Sequence, residues 1–291
     1  MQRTLILGSS GFLGSYIAQE FNDDACLHAR SEMPGLKADY VSELETEREV
    51  IELFNQNNFS TLINCVALAD IEKCEANPDL AIWLNQTLPM LLAKHSSRNE
   101  KKIVHISTDA VFNSEHQFSN EDDIKKPLSI YSRTKLEGEK KVVQFAKEFN
   151  VVRVNFYGKS KTQKGILNFF YKNLESNQAV PGYNDVFFTP LYARDTAELI
   201  KLISNSRLNG IFHVVGMERL SKYEFGRKVA RAMNKPDDLV VPVKFSQSPL
   251  AVNRIRELSL STTKLRNLGY TIPSLESGIL RAVAELENEK N

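Results

Sequence analysis

The chain has 291 residues, enough for two domains of ordinary size or one large α/β unit. Its 37 basic and 36 acidic side chains leave a formal charge of +1, so no global field favours nucleic acid or an anionic membrane. Hydrophobic residues at 42% and charged residues at 25% are ordinary globular usage, which excludes disorder, collagen-like repeats and coiled coil.

Cys26, Cys65 and Cys74 are too few and too unevenly spaced for a disulfide framework or a zinc knuckle, and a reducing compartment is expected. The segment Met1 to Gly8 carries a short apolar run, well below a signal-peptide core, and no stretch approaches a membrane span. A cytoplasmic protein is the expectation.

Short β-branched or aliphatic runs then alternate with longer segments of helical period, the pattern that builds a parallel sheet covered by helices. Strands are predicted over Thr4 to Leu7, Ala25 to His28, Thr61 to Ala67, Lys102 to Ser107 and Val151 to Val154. Between them, helices are predicted from about Phe12 to Phe21, Glu45 to Asn55, Leu80 to His95 and Tyr131 to Phe149. After Asn155 the pattern loosens, punctuated by Gly158, Gly165, Pro181-Gly182, Pro190, Gly210, Pro236 and Pro242. Helices over Ala193 to Ser204, Lys222 to Met233 and Leu275 to Glu287 and a strand over Gly210 to Val215 are expected there. The fold class is therefore α/β, a doubly wound parallel sheet with a smaller α+β lobe. The expected division is 1–155 for the first domain and 156–291 for the lobe, with about 186–215 returning to the first domain.

Between the first strand and first helix, Gly8-Ser9-Ser10-Gly11-Phe12-Leu13-Gly14 sets its glycines three apart. Gly8 allows a sharp turn, Gly11 a close backbone approach to a pyrophosphate, and Gly14 tight packing of helix on sheet. The phosphate would lie at the helix N-terminus, where donors and macrodipole favour an anion. The bland alternative is a merely structural glycine turn. The end of the second strand selects the dinucleotide, and His28-Ala29-Arg30-Ser31 offers a guanidinium and no acid. NADP(H) is preferred and NAD(H) is admitted, against the alternative that Arg30 is a solvated loop residue.

Tyr131 and Lys135, four apart at the start of a predicted helix, share one face. A neighbouring ammonium and an oxidised nicotinamide would favour the phenolate and bring the tyrosine towards a useful range. By itself Tyr-x-x-x-Lys is common by chance. Upstream, however, the strand Ile103 to Ser107 ends in Thr108-Asp109, where open α/β sheets bind ligands and a hydroxyl can hold a substrate carbonyl.

Other groups carry less. His28, His95, His105, His116 and His213 lack metal-ligand spacing, each explained by one hydrogen-bond partner, and no metal is expected. Ser9-Ser10 lacks the Gly-x-Ser-x-Gly order of a nucleophile elbow. Trp83, among Leu80, Leu84 and Leu88, reads as core, and Lys125-Lys126 and Lys140-Lys141 as solvated faces.

With these residues the chain resembles the extended short-chain dehydrogenase/reductase superfamily, and within it the dTDP-4-dehydrorhamnose reductase family of sugar-nucleotide reductases. The telling segments are His105-Ile106-Ser107-Thr108-Asp109-Ala110-Val111-Phe112 and Pro127 to Lys140, with Ile63 to Ala67, Asp70 to Glu75 and Leu84-Asn85 also matching. The resemblance implies that Tyr131 donates a proton with Lys135 as partner, and that Thr108 and Asp109 face a sugar. It implies a dinucleotide lined by Gly11, Phe12, Leu13, Arg30, Asp39, Tyr40, Cys65, Val66, Ala67 and Ile106. Asp39-Tyr40 has a second reading, as a helix cap and a packing residue.

The family's tryptophan after the fifth strand is absent from Arg153-Val154-Asn155-Phe156-Tyr157-Gly158, and its late Arg-Pro-x-Asn pattern is replaced by Asn253-Arg254-Ile255-Arg256-Glu257. Asn155, Arg254 and Arg256 remain substrate-side candidates, with surface salt bridging as the alternative for each arginine. The implied activity is NAD(P)H-dependent reduction of the 4-keto group of a nucleotide-linked deoxysugar. Alternatives are an epimerase or a dehydratase, although a dehydratase wants an acid where Ala110 stands. A further one is a regulatory subunit that binds NADP(H) without turnover, as in the related beta subunit of methionine adenosyltransferase. The expected partners are a nucleotide-sugar substrate and a second copy in a homodimer, without nucleic acid or membrane.

Overall fold

The computed structural model describes residues 3–31, 38–56, 58–112, 116–245 and 255–288. The strand β1 (Thr4–Leu7) is buried at every position, the mark of a central parallel strand covered on both faces. It is followed by α1 (Phe12–Phe21), β2 (Ala25–Ala29), β3 (Tyr40–Val41), α2 (Glu47–Gln56) and β4 (Thr61–Asn64). Next come α3 (Ile71–Ala76), α4 (Pro78–Ile82), a π-helical turn over Trp83–Thr87, and α5 (Leu88–Arg98). They lead to β5 (Lys102–Thr108), α6 (Ile130–Phe145) and β6 (Phe149–Val154).

Shorter elements follow: β7 (Phe156–Tyr157), α7 (Ile166–Glu175), β8 (Val180–Tyr183), β9 (Phe187–Phe188) and β10 (Leu191–Tyr192). After α8 (Ala193–Asn205) and β11 (Gly210–Val214) come β12 (Leu220–Ser221), α9 (Lys222–Ala232) and β13 (Val240–Val243). The last elements are β14 (Glu257–Leu258), α10 (Thr263–Asn267) and α11 (Leu275–Glu287).

Among the described residues seven strands form one sheet in the order β11-β6-β5-β4-β1-β2-β3. The pairings of β1 with β2 and β4, of β2 with β3 and of β4 with β5 are parallel, with Leu7 opposite both His28 and Asn64 and Asn64 opposite His105. This Rossmann-like α/β architecture is the expected fold class. The chain divides into two compact units, one of Met1–Val111, Pro127–Arg153 and Ala197–Phe212, the other of Phe112–Lys126, Val154–Thr196 and His213–Asn291.

In the first unit, Leu5, Leu62, Ile103 and Val151 from the sheet pack with Val50, Leu53, Leu88 and Leu92 from α2 and α5. Each such buried side chain contributes roughly 1.5–3 kcal/mol. Lys102, a buried cation at the start of β5, has a structural task. Its ammonium donates to the carbonyls of Ile203, Ser204 and Ser206 at 3.1, 3.2 and 2.8 Å, capping the C-terminal end of α8, whose last carbonyls lack helical partners.

The second unit packs aromatic rings around Phe225, with Tyr157, Phe188 and Phe170 at centroid distances of 5.0, 5.6 and 6.3 Å. Arg281 of α11 pairs with the buried Asp195 through two bonds of 2.7 and 2.6 Å.

Three predicted elements depart most from expectation. The strand expected over Thr61 to Ala67 stops at Asn64, because Asn64 Oδ1 takes the Val66 N–H at 3.0 Å and withdraws it from the ladder. The helix expected over Leu80 to His95 divides at the π turn. The helix expected to reach Phe149 ends at Phe145, since Ala146 is extended and Phe149 already belongs to β6. No helix among the described residues is long and apolar enough to cross a membrane.

Candidate active site

The glycine turn is required by its own geometry. Gly8 has φ +74°, in the left-handed region that glycine adopts freely. Its N–H and that of Ser9 both donate to the His28 carbonyl, at 3.1 and 3.0 Å. A Cβ on Gly14 would overlap the Gly8 carbonyl oxygen, so only a glycine lets α1 start this close to the turn. A Cβ on Gly11 would stand 3.1 Å from the same oxygen. Gly11 begins α1 without a side-chain cap, Phe12 is half-buried, and Leu13 turns its side chain into the core. A bare cradle at a helix N-terminus fits the pyrophosphate of a dinucleotide.

The neighbouring strand ends converge on this turn. A Cβ on Gly8 would lie 3.2 Å from the backbone of both Cys65 and Val66, which with Ala67 are half-buried just beyond β4. Arg30 is exposed immediately after β2. Asp39 caps no helix: its carboxylate accepts the Leu27 N–H at 2.8 Å, and Tyr40 stands opposite His28 in β3. The alternative of a helix cap is thereby corrected, since β2 has claimed the carboxylate, whereas Tyr40 does pack against the core of this unit.

At the end of β5, Ile106 is half-buried and Thr108 and Asp109 are buried. The Thr108 hydroxyl donates to Asp109 Oδ1 at 2.9 Å and also meets the Tyr131 phenol. Tyr131 lies in the first turn of α6, whose start is fixed by a reciprocal capping box between Ser129 and Ser132. Burial pushes the phenol up to about 12; the Thr108 hydrogen bond opposes this, while Asp109 and Cys74 add to it. Lys135 is 2% exposed, and its Nζ is engaged by the Ile106 carbonyl at 2.7 Å and His105 Nε2 at 3.3 Å. A protonated phenol is what a proton donor needs.

Two buried arrangements behind these residues escaped the sequence reading. Arg153, on β6, pairs with Glu139, one turn beyond Lys135, through Nε–Oε1 and Nη2–Oε2 bonds of 3.0 and 2.8 Å, both side chains being at most 2% exposed. Ser107 donates to the same carboxylate at 2.5 Å. An arginine inside the run Val151-Val152-Arg153-Val154 was the available signal, because a lone charge in a buried strand demands a partner. The second arrangement joins Asn64, His105 and Lys135. His105 therefore has two polar neighbours, more than the single partner expected of it.

Two remaining candidates, Asn155 and Arg256, lie in the second unit. Asn155 is half-buried and its carbonyl accepts the Leu191 N–H at 3.0 Å; Arg256 is exposed and its carbonyl accepts the Phe187 N–H at 2.7 Å. Arg254 lies outside the described residues. Among the described residues no group of three or more His, Cys, Asp or Glu gathers as a metal site would require.

A family model described as the RmlD substrate binding domain matches residues 1–288. A probable low-salt glycan biosynthesis reductase of Haloferax volcanii is 28% identical over 283 residues, covering 95% of this chain and 90% of the relative. Methionine adenosyltransferase 2 subunit beta of Rattus norvegicus is 28% identical over 282 residues, covering 92% of this chain and 83% of that one. The solved dTDP-4-dehydrorhamnose reductase of Bacillus anthracis, in complex with NADP, superposes with a TM-score of 0.88 at 24% identity, covering 98% of this chain and 100% of that one, which shows the shared fold.

Proposed function

The chain belongs to the RmlD substrate binding domain family, and from that premise we propose that it is an NAD(P)H-dependent reductase of a nucleotide-linked deoxysugar, acting on the 4-keto group in the cytoplasm. The observation that carries the reading is the Thr108 hydroxyl against the Tyr131 phenol, with Lys135 one turn along the same helix. A reductase named among the relatives and an NADP-bound reductase of the same fold support it.

NADPH, when bound, supplies the hydride. Gly8, Gly11, Phe12, Leu13 and Gly14 would hold its pyrophosphate, Arg30 its 2′-phosphate, and Asp39, Tyr40, Cys65, Val66, Ala67 and Ile106 would line its remainder, with Lys135 on the nicotinamide ribose. Thr108 orients the substrate carbonyl. Tyr131 gives its phenolic proton to the forming alkoxide, a transfer suited to a group that burial keeps protonated at neutral pH. Asp109, Asn155, Arg254 and Arg256 would face the sugar and its diphosphate.

NADPH oxidation by the purified protein with a dTDP-4-keto-6-deoxysugar is expected, and Tyr131→Phe is expected to lower it by about 10²–10⁴-fold while NADPH still binds. Equal turnover by the variant would sink the mechanism. A second reading has its own observation, the 28% identity to a subunit beta of methionine adenosyltransferase 2. It is the better one if the chain binds NADPH, turns over no sugar nucleotide and co-purifies with a larger enzyme.

A further inference from the structure

His105, on β5, is fully buried, and each of its ring nitrogens faces a nitrogen of another side chain. Nδ1 lies 3.2 Å from Asn64 Nδ2, and Nε2 lies 3.3 Å from Lys135 Nζ. The orientation of the Asn64 amide is set independently, because its Oδ1 accepts the Val66 N–H at 3.0 Å. Nδ2 is therefore the group that faces the ring. An amide NH₂ only donates, so His105 Nδ1 accepts, and the single proton of a neutral imidazole is left on Nε2. Burial, and after it the charge of Lys135, hold His105 well below the ordinary imidazole range, which keeps the ring neutral.

An Nε2–H offers no lone pair to an ammonium. It does match a neutral amine, whose lone pair accepts from Nε2–H while one of its own hydrogens goes to the Ile106 carbonyl at 2.7 Å. We infer that His105, locked by Asn64 in the Nε2–H tautomer, is a positioning residue that favours the neutral amine of Lys135 and so controls when this lysine carries a charge. The inference deepens the reductase reading, and rests on it only for its meaning in turnover.

The other titratable groups acting on the amine are Glu139, one turn further along its own helix, and Cys65, just beyond β4. Burial brings Lys135 down to about 8, and Glu139 and Cys65 work against that. Glu139 is engaged by Arg153 and Ser107, and the Cys65 thiol is pushed up to about 12 by burial and stays neutral. His105 is the neighbour whose hydrogen-bond polarity discriminates between amine and ammonium.

The test is a pH titration of the full chain carrying ¹³Cε-lysine, followed by NMR, with the Lys135 signal assigned by its loss in Lys135→Met. The expected wild-type midpoint is well below the ordinary lysine value of about 10.4. In His105→Gln, where the amide can turn its oxygen to the amine, the midpoint is expected to rise by about one pH unit. Asn64→Ser, which frees the ring to present a lone pair, is expected to move it the same way. A wild-type midpoint in the ordinary range, or unchanged midpoints in both variants with intact thermal transitions, would overturn the inference. Shifted midpoints in a protein that never oxidises NADPH would uphold it and count against the reductase instead. Where turnover is present, the basic limb of the kcat profile is expected to follow the NMR midpoint, which a merely structural histidine would not move.

Discussion

Gly138, in the interior of α6, faces the main-chain carbonyl of Asn85 so closely that a Cβ at the glycine would overlap the carbonyl oxygen. Asn85 lies in the π turn, fully buried, with its side-chain amide donating to Thr134 Oγ1 at 3.1 Å and to the Leu68 carbonyl at 3.1 Å. The helix that carries Tyr131 and Lys135 is thus seated against the π turn. By helix propensity alone, Gly138→Ala would stabilise by about 1 kcal/mol. Overpacking against main chain costs about 1–3 kcal/mol and decides the sign. The variant is expected to be less stable in urea and to lose activity, and a raised urea midpoint would contradict this.

The buried Glu139–Arg153 pair predicts a non-additive cycle. Breaking it from one side, by Glu139→Leu or Arg153→Met, is expected to cost about 3–5 kcal/mol, because each leaves a charge uncompensated in the interior. The double variant leaves no such charge and is expected to recover much of that loss. Denaturant melts of the four proteins measure the coupling, and additive losses would show that the partners act separately.

His28 predicts an acid limb of stability. Burial holds its pKa down to about 4, against hydrogen bonding to the backbone of Ser42 and of His28 itself. Between pH 6.5, the value for an unperturbed ring, and about 4, the unfolded chain binds a proton that the folded chain refuses. Its contribution is therefore whole above that window and is lost as pH falls through it, reaching about 3 kcal/mol by the usual conversion of 1.36 kcal/mol per unit. Melts at pH 7 and pH 4.5 are expected to diverge less for His28→Gln than for the wild type.

Arg30, exposed at the end of β2, predicts cofactor preference. Arg30→Ala is expected to weaken NADPH binding by about 10-fold and leave NADH binding nearly unchanged, because only NADPH presents the 2′-phosphate that a guanidinium matches. Fluorescence titrations with both nucleotides measure it. Equal losses for the two would assign Arg30 to the surface alone.

Sequence by itself determined the features whose causes are local. The apolar run Thr4 to Leu7, the glycines at 8, 11 and 14, and the four-residue spacing of Tyr131 and Lys135 each fix a backbone geometry or a shared helix face within one turn of chain. The helices Phe12–Phe21 and Leu275–Glu287 match their expected bounds for the same reason, since amphipathic period and end signals lie inside the segment. Tertiary structure alone decided the partners of buried polar groups. Nothing near Arg153 in the chain names Glu139, and nothing near His105 names Asn64 or Lys135, because those meetings depend on β4, β5, β6 and α6 packing side by side. The state of Tyr131 in the chain by itself was decided there too, because burial pushes its phenol up to about 12. Hydrogen-bond direction and desolvation are properties of the assembled interior, and a linear pattern carries neither.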